Sequence, residues 1–246
     1  MIVDGKDIAE QIMKALELER QSFGVLTLGI VMNEGDAATD SFVKIKSRIA
    51  ARLGVEIKKY NPAQIAEALG CDGVIVQLPI ANSEQLLASL PPHKDVDALG
   101  PAPAVASPVA GAIAEVLARS GVDPRGKKAT VVGEGRLVGA PAAKLLRELG
   151  ADVAVVTSRD GSLTSVKNAD IVVLGAGEPG LIKPDMLKPG VVLIDAGTSE
   201  QGGRLAGDAD PACAAVASVF TPVPGGIGPI AVAMIFKNLS DLARRA

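Results

Sequence analysis

Apolar positions along this chain alternate between two spacings, one helical and one extended. From Asp7 to about Glu19, residues Ile8, Ile12, Ala15, Leu16 and Leu18 recur near helical spacing and predict an amphipathic helix. Val25 to Val31 is a short apolar run of strand type. After a polar loop from Asn33 to Asp40, residues 41–53 return to helical spacing through Phe42, Ile45, Ile49 and Leu53, and Gly54 stands in the C-cap position. Val55 to Tyr60 predicts a strand, Pro62 to Leu69 a short helix closed by Gly70, and Gly73 to Leu78 a buried strand running into Pro79. Strand alternating with helix is the pattern of a parallel sheet covered on both faces, so the fold class is α/β.

The stretch from Pro91 to Pro108 holds five prolines and reads as loop, followed by a helix over about Val109 to Ala118. Gly121 to Lys127 turns into a second unit. Strands are expected at Lys128 to Val132, Asp152 to Val156, Ile171 to Gly175 and Val191 to Asp195. A helix from Ala140 to Leu149 carries Ala142, Leu145, Leu146 and Leu149 on one face. A last helix, Pro229 to about Leu242, places Val232, Ile235, Phe236 and Leu239 where they need a partner surface, which the first unit supplies.

Composition narrows the function classes. The 25 basic and 28 acidic residues nearly balance, and a nucleic-acid footprint needs clustered positive charge. Lys44, Lys46, Arg48, Arg52, Lys58 and Lys59 come closest to a patch, and also suit a polyanionic small molecule. Four Phe, one Tyr and no Trp leave few stacking platforms for single strands. Cys71 and Cys213 form no CxxC unit, and the single His93 has no partner set for a metal or a triad. Neither a disulfide framework nor a metal site is indicated, and a reducing compartment fits. No signal-peptide pattern opens the chain, and no apolar run approaches the roughly 20 residues that span a membrane. The expectation is a cytoplasmic protein with no membrane or nucleic-acid partner.

Between the expected strand 128–132 and the helix from Ala140 lies Gly133-Glu134-Gly135-Arg136-Leu137-Val138-Gly139. In that context Gly133 permits a tight turn, Gly135 lets phosphate approach the backbone, and Gly139 allows close helix packing. The start of the helix then offers N–H groups to a pyrophosphate. The glycine spacing is one residue longer than the common dinucleotide fingerprint, and a turn needing glycine for geometry alone remains open. The second strand ends Thr157-Ser158-Arg159 rather than in an acid, which favours a ribose carrying a 2′-phosphate, hence NADP over NAD, with a solvated loop start an equally good account of Ser158 and Arg159. Gly175 and Gly177 form a second cluster on the nicotinamide side, for which loop geometry is an equally good account.

Four segments together resemble the methylenetetrahydrofolate dehydrogenase/methenyltetrahydrofolate cyclohydrolase family. They are Val76-Gln77-Leu78-Pro79, Pro92-His93-Lys94-Asp95-Val96-Asp97, Val138-Gly139-Ala140-Pro141, and the run from Thr221 through Pro224-Gly225-Gly226 to Pro229. The resemblance implies two domains flanking a cleft. Residues 1–118 plus 222–246 would form the folate-binding catalytic domain, and 119–221 the Rossmann-like NAD(P)-binding domain, with the C-terminal helix returning to the first. It also implies a homodimer acting on tetrahydrofolate derivatives without a metal. The implied reactions are hydride transfer from 5,10-methylenetetrahydrofolate to NAD(P), then hydrolysis of the methenyl product to 10-formyltetrahydrofolate.

By its own pattern a lysine on this helix is a surface charge, as Lys44 remains. The resemblance makes Lys46 the catalytic lysine, Gln77 the group that orients it, and Asp97 the pterin-binding carboxylate, with Asp95 left to loop capping. Phe42, Asp97, Pro224, Gly225 and Gly226 become substrate contacts. Gly133, Glu134, Gly135, Arg136, Val138, Gly139, Ser158, Arg159, Gly175 and Gly177 become cofactor contacts. Some positions depart from the family. Phe42 replaces a tyrosine four residues before the lysine, keeping the ring but losing the hydroxyl, which weighs against hydrolysis more than against hydride transfer. Glu134-Gly135 replaces Arg-Ser, which weighs against a 2′-phosphate and keeps NAD possible. Ala98 replaces glycine, and the interval from Lys46 to Gln77 is short. The rival expectations are a catalytically impaired folate- or nucleotide-binding protein and a dehydrogenase lacking the hydrolase step.

Overall fold

A computed structural model describes residues 1–20, 24–33, 37–157, 163–201 and 204–245, with the backbone alone for 37–42 and 201. The chain divides into two compact units, Ala9–Pro108 with Val232–Ala246, and Met1–Ile8 with Val109–Ala231. The first unit is built on a three-stranded parallel sheet. Its elements are α1 (Gly5–Arg20), β1 (Thr27–Val31), α2 (Ala37–Leu53), β2 (Glu56–Tyr60), α3 (Ile65–Ala68), β3 (Gly73–Val76) and α4 (Ser83–Ala88). The strands lie in the order β2-β1-β3. Val31, Ala68, Val74, Val76, Leu87 and Leu90 pack together in its core. Each of these valine and leucine side chains contributes roughly 1.5–3 kcal/mol by leaving water.

The second unit carries α5 (Pro108–Arg119), β4 (Lys128–Val132), α6 (Gly139–Glu148), β5 (Asp152–Val156), β6 (Ile171–Leu174) and β7 (Val192–Asp195). A small antiparallel hairpin of β8 (Ser199–Gln201) and β9 (Arg204–Ala206) follows, then β10 (Val219–Thr221). The last helix, α7 (Ile227–Ala243), ends in the first unit. The large sheet is parallel throughout, in the order β10-β7-β6-β4-β5.

Four strands were expected in this sheet, and β10 is a fifth. At three residues it is too short to show a period in sequence. The N-terminal residues extend it: Val3 N–H donates to the Phe220 carbonyl at 2.8 Å, and Phe220 N–H to the Met1 carbonyl at 2.9 Å. That pairing explains why residues 1–8 group with the large sheet, whereas the sequence boundaries assign them to the other domain. On α7, Asn238 donates its side-chain N–H groups to the carbonyls of Val96 (2.8 Å) and Ala106 (2.9 Å), tying the helix to the loop after α4.

α2 turns a different face inward from the one its apolar residues predict, whereas α1 keeps most of its expected stripe. On α1 the buried stripe is Ile8, Ile12, Met13 and Leu16, while Ala15 and Leu18 face solvent. Among the described side chains of α2 the buried ones are Val43, Lys46, Ala50 and Leu53, with Ile45 45% exposed and Ile49 only half-buried. Both stripes on α2 have helical spacing. Packing chose the one that includes a lysine. Leu149, read as part of the apolar face of α6, is exposed at its C-terminal end.

Candidate active site

Lys46 is the starting point because it is only 7% exposed. Its ammonium donates to Gln77 Oε1 at 2.6 Å. Gln77 is held in turn by the sheet: its N–H donates to the Val31 carbonyl at 2.9 Å, prolonging the ladder between β1 and β3 by one residue. Its Nε2 donates to the Leu78 carbonyl at 3.2 Å, which fixes Oε1 as the atom facing the lysine.

Asp97 arrives on a segment that runs beside β3. Val74 N–H donates to the Lys94 carbonyl at 2.7 Å, and Lys94 Nζ donates to the Cys71 carbonyl at 2.6 Å. Asp95 caps this loop as the sequence reading expects, accepting the Gly100 N–H on Oδ2 at 2.7 Å. Ala98 sits at φ 55°, a left-handed backbone that favours glycine.

Burial pushes the Lys46 ammonium below its ordinary pKa, and the nearby Asp97 charge opposes that shift. Burial pushes the Asp97 carboxyl up, Lys46 pulls it back, and Asp95 adds to the rise. The two pKa values therefore move toward each other, which lowers the cost of passing a proton between or through these groups. Lys46, Gln77 and Asp97 are thus brought together within one unit. Phe42 lies on α2 one turn before Lys46, and its side chain falls outside the described residues.

The large sheet presents a separate feature. Gly133, at φ 101°, ends β4 and opens the glycine-rich turn. A Cβ on Gly139 would lie 2.1 Å from the Gly133 carbonyl oxygen, and one on Gly133 would lie 2.5 Å from that of Gly175. A Cβ on Gly175 would meet Val138 Cγ1 at 2.4 Å. Gly133, Gly139 and Gly175 therefore serve close packing of β4, α6 and β6. Gly135 differs: nothing lies within 4 Å of the Cβ it lacks, and Glu134, Gly135, Arg136 and Leu137 are exposed. A glycine the fold does not require, before a helix with no side-chain cap, fits the approach of a dinucleotide's phosphates. Gly177 adopts φ 73° and belongs to the turn after β6. Ser158 and Arg159 lie outside the described residues.

Pro224, Gly225 and Gly226 form the turn between β10 and α7. Gly225 takes φ 108°, which calls for glycine. The close approach at Gly226 is made by the protein itself, since a Cβ on Gly5 would fall 1.8 Å from the Gly226 oxygen. Gly5 N–H donates to the Gly225 carbonyl at 2.9 Å. A Cβ on Gly226 itself would meet the Pro222 oxygen at 2.7 Å and Thr221 Cβ at 2.8 Å, while nothing lies within 4 Å of the Cβ that Gly225 lacks.

Two buried acids escaped the sequence reading. Asp195 ends β7 and Asp208 follows β9, and both are essentially inaccessible. Burial raises the Asp195 carboxyl to about 7, and raises that of Asp208 as well. The one signal in sequence was a glycine near each, at Gly197 and Gly207, beside otherwise apolar runs.

Fold and site together define a two-unit α/β protein with a Rossmann-like domain and a buried lysine–glutamine–aspartate cluster in the other unit. Residues 107–246 match the family described as tetrahydrofolate dehydrogenase/cyclohydrolase, NAD(P)-binding domain. A bifunctional protein FolD of Caldanaerobacter subterraneus is 34% identical over 273 aligned residues, covering 100% of this chain and 98% of its own. Among solved structures, the bifunctional FolD methylenetetrahydrofolate dehydrogenase/cyclohydrolase of Campylobacter jejuni superposes with a TM-score of 0.93 at 26% identity, covering 100% of this chain and 99% of its own. The Trypanosoma brucei enzyme, solved with NADP cofactor and an inhibitor, gives 0.89 at 31% identity, covering 100% of this chain and 97% of its own. The chain belongs to the tetrahydrofolate dehydrogenase/cyclohydrolase family.

Proposed function

We propose that the chain is an NAD(P)-dependent 5,10-methylenetetrahydrofolate dehydrogenase that also hydrolyses 5,10-methenyltetrahydrofolate to 10-formyltetrahydrofolate. The observation that carries this reading is the buried Lys46–Gln77 hydrogen bond of 2.6 Å with Asp97 acting on the same ammonium. A buried amine with a depressed pKa and a fixed acceptor is equipped to move protons near neutrality.

In hydrolysis, Lys46 in its amine form takes the proton of the water that adds to the methenyl carbon. As the ammonium it returns a proton to the ring nitrogen that departs when the carbon–nitrogen bond breaks. The hydroxyl proton is lost to solvent as the formyl group forms. Gln77 holds the lysine through both steps, and the Asp97 carboxylate accepts hydrogen bonds from the amino-pyrimidinone edge of the pterin. When bound, NAD(P) supplies the hydride acceptor. Gly133, Gly135, Val138 and Gly139 would hold its pyrophosphate, with Glu134, Arg136, Ser158 and Arg159 toward the ribose. NADP is the first choice of cofactor and NAD the second. The enzyme works in the cytoplasm as a homodimer; sedimentation at twice the chain mass checks the second point.

The test is an anaerobic assay with 5,10-methylenetetrahydrofolate and NADP or NAD, following reduced cofactor and methenyl product separately. Expected are reduction of cofactor and conversion of the methenyl intermediate, with hydrolysis lost by at least about 100-fold in Lys46→Gln. Accumulating methenyl product marks a dehydrogenase without the hydrolase step, the outcome Phe42 would favour. Folded protein that binds folate yet turns over with neither cofactor overturns the assignment in favour of a binding protein.

A further inference from the structure

Counted in chain order within the large sheet, the strands β4, β5, β6, β7 and β10 lie in the order 2-1-3-4-5. The chain leaves β4 on one side for β5 and resumes on the other side with β6. Open parallel sheets receive ligands outside the carboxyl ends of the strands at that reversal. One wall of the crevice is the glycine-rich turn after β4. The other is the turn after β6, comprising Gly175, Ala176, Gly177 and Glu178.

That second turn is anchored from behind by one side chain. Asp208 is fully buried, and its Oδ2 accepts the N–H groups of Ala176 (2.7 Å) and Gly177 (3.1 Å), while Oδ1 accepts that of Glu178 (2.8 Å). Space for the carboxylate comes from Gly197, whose missing Cβ would stand 2.2 Å from it. A second tie runs from Ser199 Oγ to the Gly177 carbonyl at 2.7 Å. Asp208 is itself seated by Asp195, whose carboxyl accepts the N–H groups of Gly197 (3.0 Å), Asp208 (3.3 Å) and Ala209 (2.8 Å). Gly207 leaves room for Asp195 as Gly197 does for Asp208. Three neighbouring amides left open would form an anion-binding nest. Here an internal carboxylate takes all three, so the turn bounds the crevice by its shape.

We propose that Asp208 is a positioning residue for the cofactor: by taking the amides of Ala176, Gly177 and Glu178, it holds the turn after β6 as the second wall of the nucleotide crevice. The inference rests on the reading that NAD(P) binds at this sheet. A carboxylate offers acceptors on both oxygens and no donor. An asparagine must set an N–H₂ group against one of the three donors.

The test compares wild-type protein with Asp208→Asn and Ser199→Ala. It reads the NADP dissociation constant by calorimetry, the KM for NADP and for methylenetetrahydrofolate, kcat, and thermal unfolding. In Asp208→Asn the NADP constants should rise about tenfold, the size of one lost charge-assisted hydrogen bond, with kcat lowered and the folate KM within about twofold of wild type. Ser199→Ala, which leaves Asp208 intact, should weaken NADP by about twofold to threefold and keeps the idea testable if Asp208→Asn does not fold. NADP affinity unchanged in either folded variant overturns the proposal. So does an equal rise in both KM values, which marks general loosening. Wild-type protein that binds neither NADP nor NAD removes the underlying reading, an outcome distinct from failure of the variants alone.

Discussion

Lys46 and Gln77 meet in a single contact, so changing the acceptor should change the titration of the donor. Gln77→Glu would place a carboxylate where Oε1 now accepts at 2.6 Å. The adjacent negative charge favours the ammonium, so the amine form would need a higher pH. The pH–rate profile of hydrolysis should move up by about one unit or more, with a smaller change in the dehydrogenase profile. An unshifted profile would show that the lysine does not exchange protons in the slow step. At this scale the sequence was informative only through its motifs. The apolar residues of α2 predicted a buried face that included Ile45, and the structure exposes Ile45 and buries Lys46. Local periodicity counts a lysine as polar. It has no means of registering that Gln77 and Asp97, 31 and 51 positions away, stabilise the ammonium inside.

The glycine-rich turn separates two uses of glycine within one element. Gly139→Ala would drive a Cβ to 2.1 Å from the Gly133 oxygen, a backbone atom that cannot swing aside. It should lower stability by roughly 2–4 kcal/mol. Gly135→Ala meets no protein atom within 4 Å and should leave the melting temperature within about 1 °C while weakening NADP. Denaturation midpoints and NADP titration of the two variants check the contrast, and equal destabilisation would refute it. The strand–turn–helix context of this element was legible because β4 and α6 are long enough to show their periods. The edge strand β10, the β8–β9 hairpin and the six-residue α4 were missed for the opposite reason. Such short elements owe their existence to the neighbours they pair with, as β10 does with β7 and the N-terminal residues.

Across the whole molecule, the least expected ionisation is that of Asp195, whose carboxyl is raised from 3.8 to about 7, first by burial and then by the charge of Asp208. Its folded-state pKa lies above the unfolded one, so the folded protein holds the proton more tightly. The stability from this group is complete below about pH 4 and is lost as pH rises toward about 7, by on the order of 4 kcal/mol at most. Urea unfolding at about pH 5 and about pH 8 should show a decline that Asp195→Asn flattens, although the variant is less stable at the lower pH. Parallel pH dependence in the two proteins would rule this out. The sequence by itself determined the alternation of strands and helices, the glycine turn and its place between β4 and α6. These follow from local sterics and from side-chain patterns repeated within a few residues. Tertiary structure alone decided which face of α2 is buried, that Gly226 is pressed by Gly5, and that two acids lie inside the large sheet's unit. Those outcomes depend on partners far along the chain, where a carboxylate or ammonium meets donors or acceptors that no local pattern records.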